Sequence, residues 1–189
     1  MAARHRQMPR FPGLRLNVLV PVALIAIGLV GLTLHEPVPP PLVGAARAVD
    51  GDTIRLAGER IRLLGIDAPE LEQTCKDARG ADWPCGDLAR REMAGLLAGA
   101  TLSCVPAGHD VYGRLLARCS RGSDDLGATM VRAGLAVADG DYWADQSAAQ
   151  RHRIGIWAGT FERPAEWRRG QGGNGADQNL IDIVRSWFR

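Results

Sequence analysis

Two short acidic motifs carry the residues that could do chemistry. VDGDT at 49–53 places Asp52 directly before an alternating apolar run, and IDAPE at 66–70 ends another apolar run with Asp67 and Glu70. We expect the strands that precede Asp52 and Asp67 to be neighbours, as consecutive short strands usually are, so that their ends bring the two carboxylates together at one edge. Crowded carboxylates repel one another, and ligands that offer only oxygen favour a hard divalent cation, either calcium or magnesium.

Nearby residues supply the other groups that hydrolysis of a phosphodiester needs. Glu70, beyond Pro69, would lie near the cation and could orient or deprotonate a water molecule. Arg62 and Arg114 could bind the phosphate, because guanidinium groups stabilise the charge that develops in phosphoryl transfer. Tyr112, beside Arg114, could stack on a base or a sugar. Together these groups predict a metal-assisted phosphodiesterase.

The periodicity of apolar residues predicts the elements that position these motifs. Five runs read as strands, the last two flanking the turn-forming segment GHDVYG: 43–49, 53–57, 60–66, 100–107 and 114–120. A helix is predicted over 87–98 with Asp87 as its N-cap, and two more within 126–136 and 143–159. Five short strands with a helix before the fourth predict an α+β fold, a β-barrel of the oligonucleotide-binding (OB) type with about three flanking helices.

The four cysteines favour disulfide bonds over a zinc site. They lack the CxxC spacing of zinc ligands, and the four histidines have no ligand-like spacing with them. Cys104 and Cys119 flank the predicted hairpin turn, so they could face each other across antiparallel strands. Cys75 and Cys85 would close a short loop. The alternative is four buried free thiols, which the mass shift on reduction would distinguish.

The segment 16–34 predicts a membrane anchor. It has no charge in 19 residues and is long enough to span the hydrocarbon core of a bilayer. Four arginines precede it and acidic residues follow, which predicts a single-pass protein of the bacterial inner membrane, its main domain on the periplasmic or extracellular side. The alternative is a cleaved signal peptide and a secreted protein, although no small-x-small cleavage site follows the run.

Five regions are therefore expected along the chain. They are a basic cytoplasmic tail at 1–15, the anchor at 16–34, a proline-rich linker at 35–42, the main domain at 43–168, and a glycine-rich linker with an amphipathic tail at 169–189. The apolar face of that tail could lie in a membrane interface, pack on another subunit or dock on its own domain. The sequence identifies no protein partner.

The charge of the chain excludes a domain-wide attraction to polyanions. Four of the 23 basic residues precede the first acid, Glu36, so 19 basic residues stand against 21 acidic ones in the rest of the chain. A nucleic acid partner would therefore have to be held by a local cluster of arginines or by a metal ion.

From about 43 to 168 the chain resembles the staphylococcal nuclease, or thermonuclease, family of calcium-dependent nucleases. Four motifs carry the resemblance in order: VDGDT, IRLLGIDAPE, DVYGR and GIWAGTFERPAEWR, of which the second is the most specific. The resemblance implies an OB-fold barrel with flanking helices. It also implies cleavage of single-stranded or frayed DNA and RNA on the 5′-oxygen side of the phosphate, which leaves 3′-phosphates.

The resemblance implies a role for each matching residue. Asp52 and Asp67 would bind Ca²⁺ through their carboxylates, and Ala68 through its backbone carbonyl. Glu70 would be the general base. Arg62 and Arg114 would bind the phosphate and the developing charge. Ala68 departs from the threonine of the best-known member, but a ligand that uses its carbonyl tolerates the change. The segment 71–87 also departs, and its expected disulfide would pin the loop beside Glu70.

The expected function is therefore that of a membrane-anchored or exported calcium-dependent nuclease. One alternative is a non-catalytic OB-fold module of the cell envelope that binds single-stranded nucleic acid or a protein. A third possibility is an envelope scaffold with a vestigial site. A binding module has no use for a general base, so the presence of Glu70 together with the two acids and two arginines favours the enzyme.

Overall fold

A computed structural model of the chain describes residues 20–26 and 39–171. The chain divides into two units, Met1–Val38 and Pro39–Arg189. The described residues of the first unit form one helix, α1, at 20–26. Within the described parts of the chain, no helix combines the length and the apolar character needed to cross a membrane.

Several predicted features fall outside the described residues. These are the basic tail at 1–15, all of the anchor at 16–34 except 20–26, the start of the linker at 35–42, and the amphipathic tail beyond residue 171. Residues 39–41 of the linker have no regular secondary structure. The predicted flexible linker does not begin at 169, because a helix continues to residue 171.

The second unit is a mixed α+β fold, as the sequence predicts. Its strands are β1 (Leu42–Gly44), β2 (Ala46–Ala48), β3 (Thr53–Leu56), β4 (Glu59–Leu63), β5 (Ile66–Asp67), β6 (Cys75–Lys76), β7 (Asp82–Trp83), β8 (Leu102–His109), β9 (Leu115–Arg121), β10 (Asp124–Asp125) and β11 (Val137–Ala138). Its helices are α2 (Cys85–Leu97), α3 (Leu126–Arg132), α4 (Trp143–Arg151), the 3₁₀ helix η1 (Gly155–Ala158) and α5 (164–171).

Seven strands form the main sheet of this unit. Their order is β1-β8-β9-β4-β3-β2, with β10 paired to β9. The prediction of five strands in a closed barrel is therefore wrong in number, and in the described sheet no ladder joins β1 to β2. The predicted strand 43–49 forms two strands in the structure, because its pairing partner changes at Ala45: β1 pairs with β8, and β2 pairs with β3. Since only Ala45 separates β1 from β2, the sheet must curve round until its two ends adjoin.

Helix α2 packs against the sheet through one face. Ala89, Met93 and Leu97 recur at about one helical turn and are buried in the main core with apolar side chains of the strands. The helix begins at Cys85, so the prediction of Asp87 as its N-cap is wrong. Asp87 instead lies in the first turn, where a negative charge interacts favourably with the helix dipole.

Two disulfide bonds join the four cysteines as Cys75–Cys85 and Cys104–Cys119. Cys104 and Cys119 are directly opposed on the antiparallel strands β8 and β9. The Cys75–Cys85 bond ties the short β6–β7 hairpin to the first residue of α2. Each bond closes a short loop, of 10 and 15 residues. Loops of this size stabilise the fold by roughly 3 kcal/mol each, because the unfolded chain loses conformational freedom.

Candidate active site

Asp52 lies immediately before β3 and is 3% exposed. The first aspartate of DGD shapes the turn: Oδ1 of Asp50 accepts hydrogen bonds from the backbone N–H groups of Asp52 (3.0 Å) and Thr53 (2.7 Å). The second aspartate is buried. Its carboxylate accepts hydrogen bonds from the hydroxyl of Thr53 (2.9 Å) and from the backbone N–H of Ala68 (3.0 Å). The two acids of one motif therefore have different tasks, one in the turn and one in the site.

Asp67 ends strand β5 and is 5% exposed. Its position depends on β11, a strand that the sequence did not predict, in which Val137 pairs with Asp67. The two acidic motifs converge, but not for the reason expected. The predicted strands that precede them, 43–49 and 60–66, are not neighbours. The first ends in β2, and the second divides into β4, which β3 separates from β2, and β5, which pairs with β11 in another sheet. The hydrogen bond from Ala68 to Asp52 joins the motifs instead.

Arg62 binds both buried carboxylates. It lies on β4 opposite Thr53, and its Nη1 and Nη2 atoms lie 2.9 Å from Asp52 Oδ1 and 2.6 Å from Asp67 Oδ1. The pKa of Asp52 is raised to about 7, chiefly because the group is buried; Arg62 opposes the rise, whereas the charges of Asp50 and Asp67 add to it. One guanidinium therefore bridges two carboxylates and offsets part of their mutual repulsion.

The loop that carries Glu70 is held from two sides. Gln73 is completely buried, and its side-chain amide accepts a hydrogen bond from the backbone N–H of Glu70 (3.2 Å) and donates one to the carbonyl oxygen of Glu162 (2.7 Å). On the other side the backbone of Glu70 touches helix α2 at Gly86, where a Cβ atom would lie 1.6 Å from the Glu70 carbonyl oxygen. These contacts fix the backbone beneath the Glu70 carboxylate.

Arg168 of helix α5 is a site residue that the sequence alone does not predict. Its guanidinium binds both oxygens of Asp67, at 3.0 and 3.1 Å, and its Nη1 atom lies 2.6 Å from Glu70 Oε1. Burial by itself would lower the pKa of Arg168, but its hydrogen bonds to Asp67 and Glu70 raise it above the usual value. The one signal for this residue was its place as the last letter of the motif GIWAGTFERPAEWR.

Arg114 and Tyr112 belong to the turn between β8 and β9. The Asp110 carboxylate accepts hydrogen bonds from the backbone N–H groups of both residues (2.9 Å each) and from Nε of Arg114 (2.6 Å). Burial by itself would raise the pKa of Asp110, but these hydrogen bonds lower it below the usual value. The Arg114 guanidinium carbon lies 5.6 Å from the centroid of the Tyr112 ring, so the two side chains form one unit at the hairpin tip.

Most of the predicted site residues line one cavity of about 750 Å³. They are Asp52, Arg62, Ala68, Glu70, Tyr112 and Arg114, and Arg168 also lines the cavity. Asp67 is the exception, because the guanidinium groups of Arg62 and Arg168 cover its carboxylate. Of the three predicted site acids, Glu70 lines the cavity and pairs with Arg168 instead of Arg62. Cationic groups reach the cavity from β4, from the β8–β9 turn and from α5.

The donor chemistry of this site fits a hard cation. Asp52 and Asp67 offer only oxygen. The pKa of Asp52 is raised chiefly by burial and further by the charges of Asp50 and Asp67, and a divalent cation bound to this carboxylate would oppose the rise. Among the residues that the structure describes, no three histidine, cysteine, aspartate or glutamate side chains cluster as a complete metal site. Other oxygens, such as the backbone carbonyl of Ala68, would therefore have to complete it. A cation at Asp67 would also compete with Arg62 and Arg168 for the carboxylate oxygens.

The contact between Gly86 and Glu70 predicts opposite effects for two glycines of one helix. We expect Gly86→Ala to destabilise the fold by roughly 1 to 3 kcal/mol, because its methyl group would overlap the Glu70 backbone. Gly95→Ala is the matched control: nothing lies within 4 Å of a Cβ there, so it should stabilise α2 by up to about 1 kcal/mol. Urea unfolding measures both. Equal effects at the two positions would contradict the close approach at Gly86.

The chain belongs to a known family of nucleases. The family profile described as "Staphylococcal nuclease homologue" matches residues 60–159, more than half of the chain. That range includes Arg62, Asp67, Glu70 and Arg114, whereas Asp52 precedes it and Arg168 follows it. The family resemblance expected from the four motifs is therefore confirmed.

Similar proteins come from bacteria and plants. The succinoglycan biosynthesis protein ExoI of Rhizobium meliloti (strain 1021) is 38% identical over 69% of this chain and 72% of its own length. An uncharacterized endonuclease of Escherichia coli O157:H7 is 32% identical over 59% of this chain and 74% of its own length. The staphylococcal-like nuclease CAN1 of Arabidopsis thaliana is 30% identical over 61% of this chain and 35% of its own length.

Proposed function

We propose that this protein is a calcium-dependent nuclease that hydrolyses phosphodiester bonds of DNA or RNA, prefers single strands and leaves 3′-phosphate products. One observation carries the proposal: the two acidic motifs meet on Arg62, and Glu70 and Arg114 line the same cavity. These are the groups that phosphoryl transfer needs, namely a carboxylate base, cationic groups for the phosphate and oxygen ligands for a hard cation.

Each residue has a distinct part in the proposed reaction. Glu70 accepts a proton from the attacking water molecule as its oxygen bonds to phosphorus, and Arg62 and Arg114 bind the non-bridging oxygens, on which negative charge develops. The bond from phosphorus to the 5′-oxygen breaks, and that oxygen takes a proton from solvent to leave as a hydroxyl group. Loss of one such donor costs a rate factor of about 10² to 10³. Asp52, Asp67 and the carbonyl of Ala68 would hold calcium, which when bound would supply further positive charge to the phosphate.

A non-catalytic binding module explains the site less well. The name of one relative refers to succinoglycan biosynthesis and not to cleavage of nucleic acid. Membership of the family therefore does not by itself support catalysis, and the residues of the cavity must do so. A module that only binds would gain nothing from three carboxylates beside a phosphate site, because they repel a polyanion. Burial of two of those carboxylates costs free energy of desolvation, and binding of a cation would offset that cost.

The proposal includes a location outside the cytoplasm. The uncharged segment 16–34 supports an anchor or a signal peptide, and the two disulfide bonds support an oxidising compartment. The catalytic domain, residues 43–168, would then face the periplasm or the exterior of a bacterial cell and meet nucleic acid there.

Calcium removal tests the proposed function. We expect the full-length protein, purified in mild detergent, to cleave heat-denatured DNA with calcium, to lose this activity in a chelator and to regain it when calcium is restored, because the cation neutralises the phosphate. End-labelled oligonucleotides should show 3′-phosphate products. Intact spheroplasts that express the protein should degrade added denatured DNA.

Each part of this proposal has its own contrary outcome. Cleavage that continues undiminished in the chelator would refute the calcium site, and 5′-phosphate products would refute the position of bond cleavage. Activity that emerges only after lysis of the spheroplasts would refute the proposed location.

A further inference from the structure

A second cavity adjoins the catalytic one. It has a volume of about 360 Å³ and is lined by Glu70, Leu71, Glu72, Trp167, Arg168 and Gln171. Glu70 and Arg168 line both cavities, and the ion pair between them, 2.6 Å long, therefore forms their common wall. A nucleic acid strand whose phosphate lies in the first cavity would have its next nucleotide beside this wall.

The second cavity has the chemistry of a site for a base and not for a phosphate. Leu71 is 44% exposed, and together with the partly buried indole of Trp167 it supplies an apolar and aromatic surface. The carboxylates of Glu70 and Glu72 would repel a phosphate. The one cationic group, Arg168, is already paired with Asp67 and Glu70. A planar base, which stacks through its face and forms hydrogen bonds through its edge, matches this lining.

We propose that this second cavity binds the nucleobase adjacent to the scissile phosphate, with Trp167 as the stacking side chain and the polar groups of Glu72 and Gln171 facing the edge of the base. This inference rests on the proposed function, because the first cavity must hold the phosphate. It assigns Trp167 to substrate binding although Trp167 lies beyond the residues that the family profile matches, 60–159.

Such a subsite gives a physical reason for the proposed preference for single strands. A base enters the cavity only when it is unpaired and unstacked, and a duplex would have to spend free energy on opening one pair first. Stacking on an aromatic side chain is tolerant of sequence, because every base has a π-face. The subsite should therefore favour single-stranded over double-stranded nucleic acid without favouring any particular base.

The test compares binding of two single-stranded chains in a chelator, where no cleavage is expected. One is an oligothymidylate, and the other is a chain of abasic deoxyribose phosphates of equal length. We expect Trp167→Ala to weaken binding of oligothymidylate by about 5- to 150-fold and to leave binding of the abasic chain unchanged. Fluorescence anisotropy of end-labelled chains gives both dissociation constants.

Three further variants make the result specific to stacking. Trp167→Phe should retain most of the affinity, whereas Trp167→Leu, which keeps apolar bulk without a π-face, should not. Trp143→Ala is the matched control, since Trp143 is 54% exposed on α4 and lines neither cavity. Thermal unfolding shows whether each variant is folded, and the phenylalanine and leucine pair decides the question if the alanine variant is not.

Two outcomes would overturn the subsite. One is equal affinity of Trp167→Leu and Trp167→Phe for oligothymidylate, and the other is an equal loss on the abasic chain, which would mean that Trp167 acts on the backbone or the fold. Failure of the proposed function is a separate result. If the protein binds oligothymidylate through Trp167 but does not cleave it with calcium present, the base subsite is supported and the proposed nuclease activity is refuted.

Discussion

Glu70→Gln should reduce kcat on denatured DNA by about 10²- to 10⁴-fold, the usual contribution of a positioned general base. Glutamine keeps the size of the side chain and an oxygen that can accept the hydrogen bond from Arg168, which is 2.6 Å long in the structure. It cannot take a proton from water. Steady-state kinetics with calcium in excess should therefore show a fall in kcat much larger than any change in KM.

The control for this variant is Glu59→Gln. Glu59 is an exposed residue at the start of β4 and lines neither cavity, so its loss of charge should leave kcat unchanged. Thermal unfolding of Glu70→Gln should match that of the unsubstituted protein, because the Gln73 contact to the Glu70 backbone remains. If Glu70→Gln retains the full kcat, another group removes the proton and the proposed role of Glu70 is wrong.

Arg62→Ala should damage both stability and activity. Its side chain is 14% exposed and pairs with two carboxylates that are 5% and 7% exposed, so its removal deprives the buried Asp52 of its ion pair. Loss of one member of a buried ion pair costs roughly 3 to 5 kcal/mol, and we expect the lower end because Arg168 still binds Asp67. The rate on denatured DNA should fall by about 10² to 10³ through loss of a phosphate ligand.

Two companion variants separate these effects. Arg62→Lys keeps the charge, so it should recover part of the stability, but an ammonium group cannot bridge two carboxylates in the geometry of a guanidinium, and the rate should stay low. Arg55→Ala removes an exposed arginine of the neighbouring strand β3 that lines neither cavity, and should change little. Urea unfolding and single-turnover cleavage measure the two effects independently. An Arg62→Ala protein as stable as Arg55→Ala would contradict the shared ion pair.

The sequence alone determined which chemical groups the protein brings to a site. The turn signal DGD, the strand end DAPE and the turn DVYGR are local features, and local features can be read from the order of residues because turns and strand ends depend mainly on near neighbours. The sequence predicts helix α2 from residue 87, two residues after its start at Cys85, because no side-chain cap marks that start.

The tertiary structure decided how these groups meet. Asp67 depends on pairing with Val137, and Glu70 is fixed by Gln73 and by its approach to Gly86. The strands that pair Asp67 with Val137 have two residues each and are too short to show any periodicity. Gln73 is near Glu70 in the chain, but its own side chain is held by Glu162, 89 positions away. The contribution of Arg168 is the extreme case, because it reaches Asp67 across 101 positions. Contacts between such distant residues depend on how the elements pack, and composition and spacing carry no record of that packing.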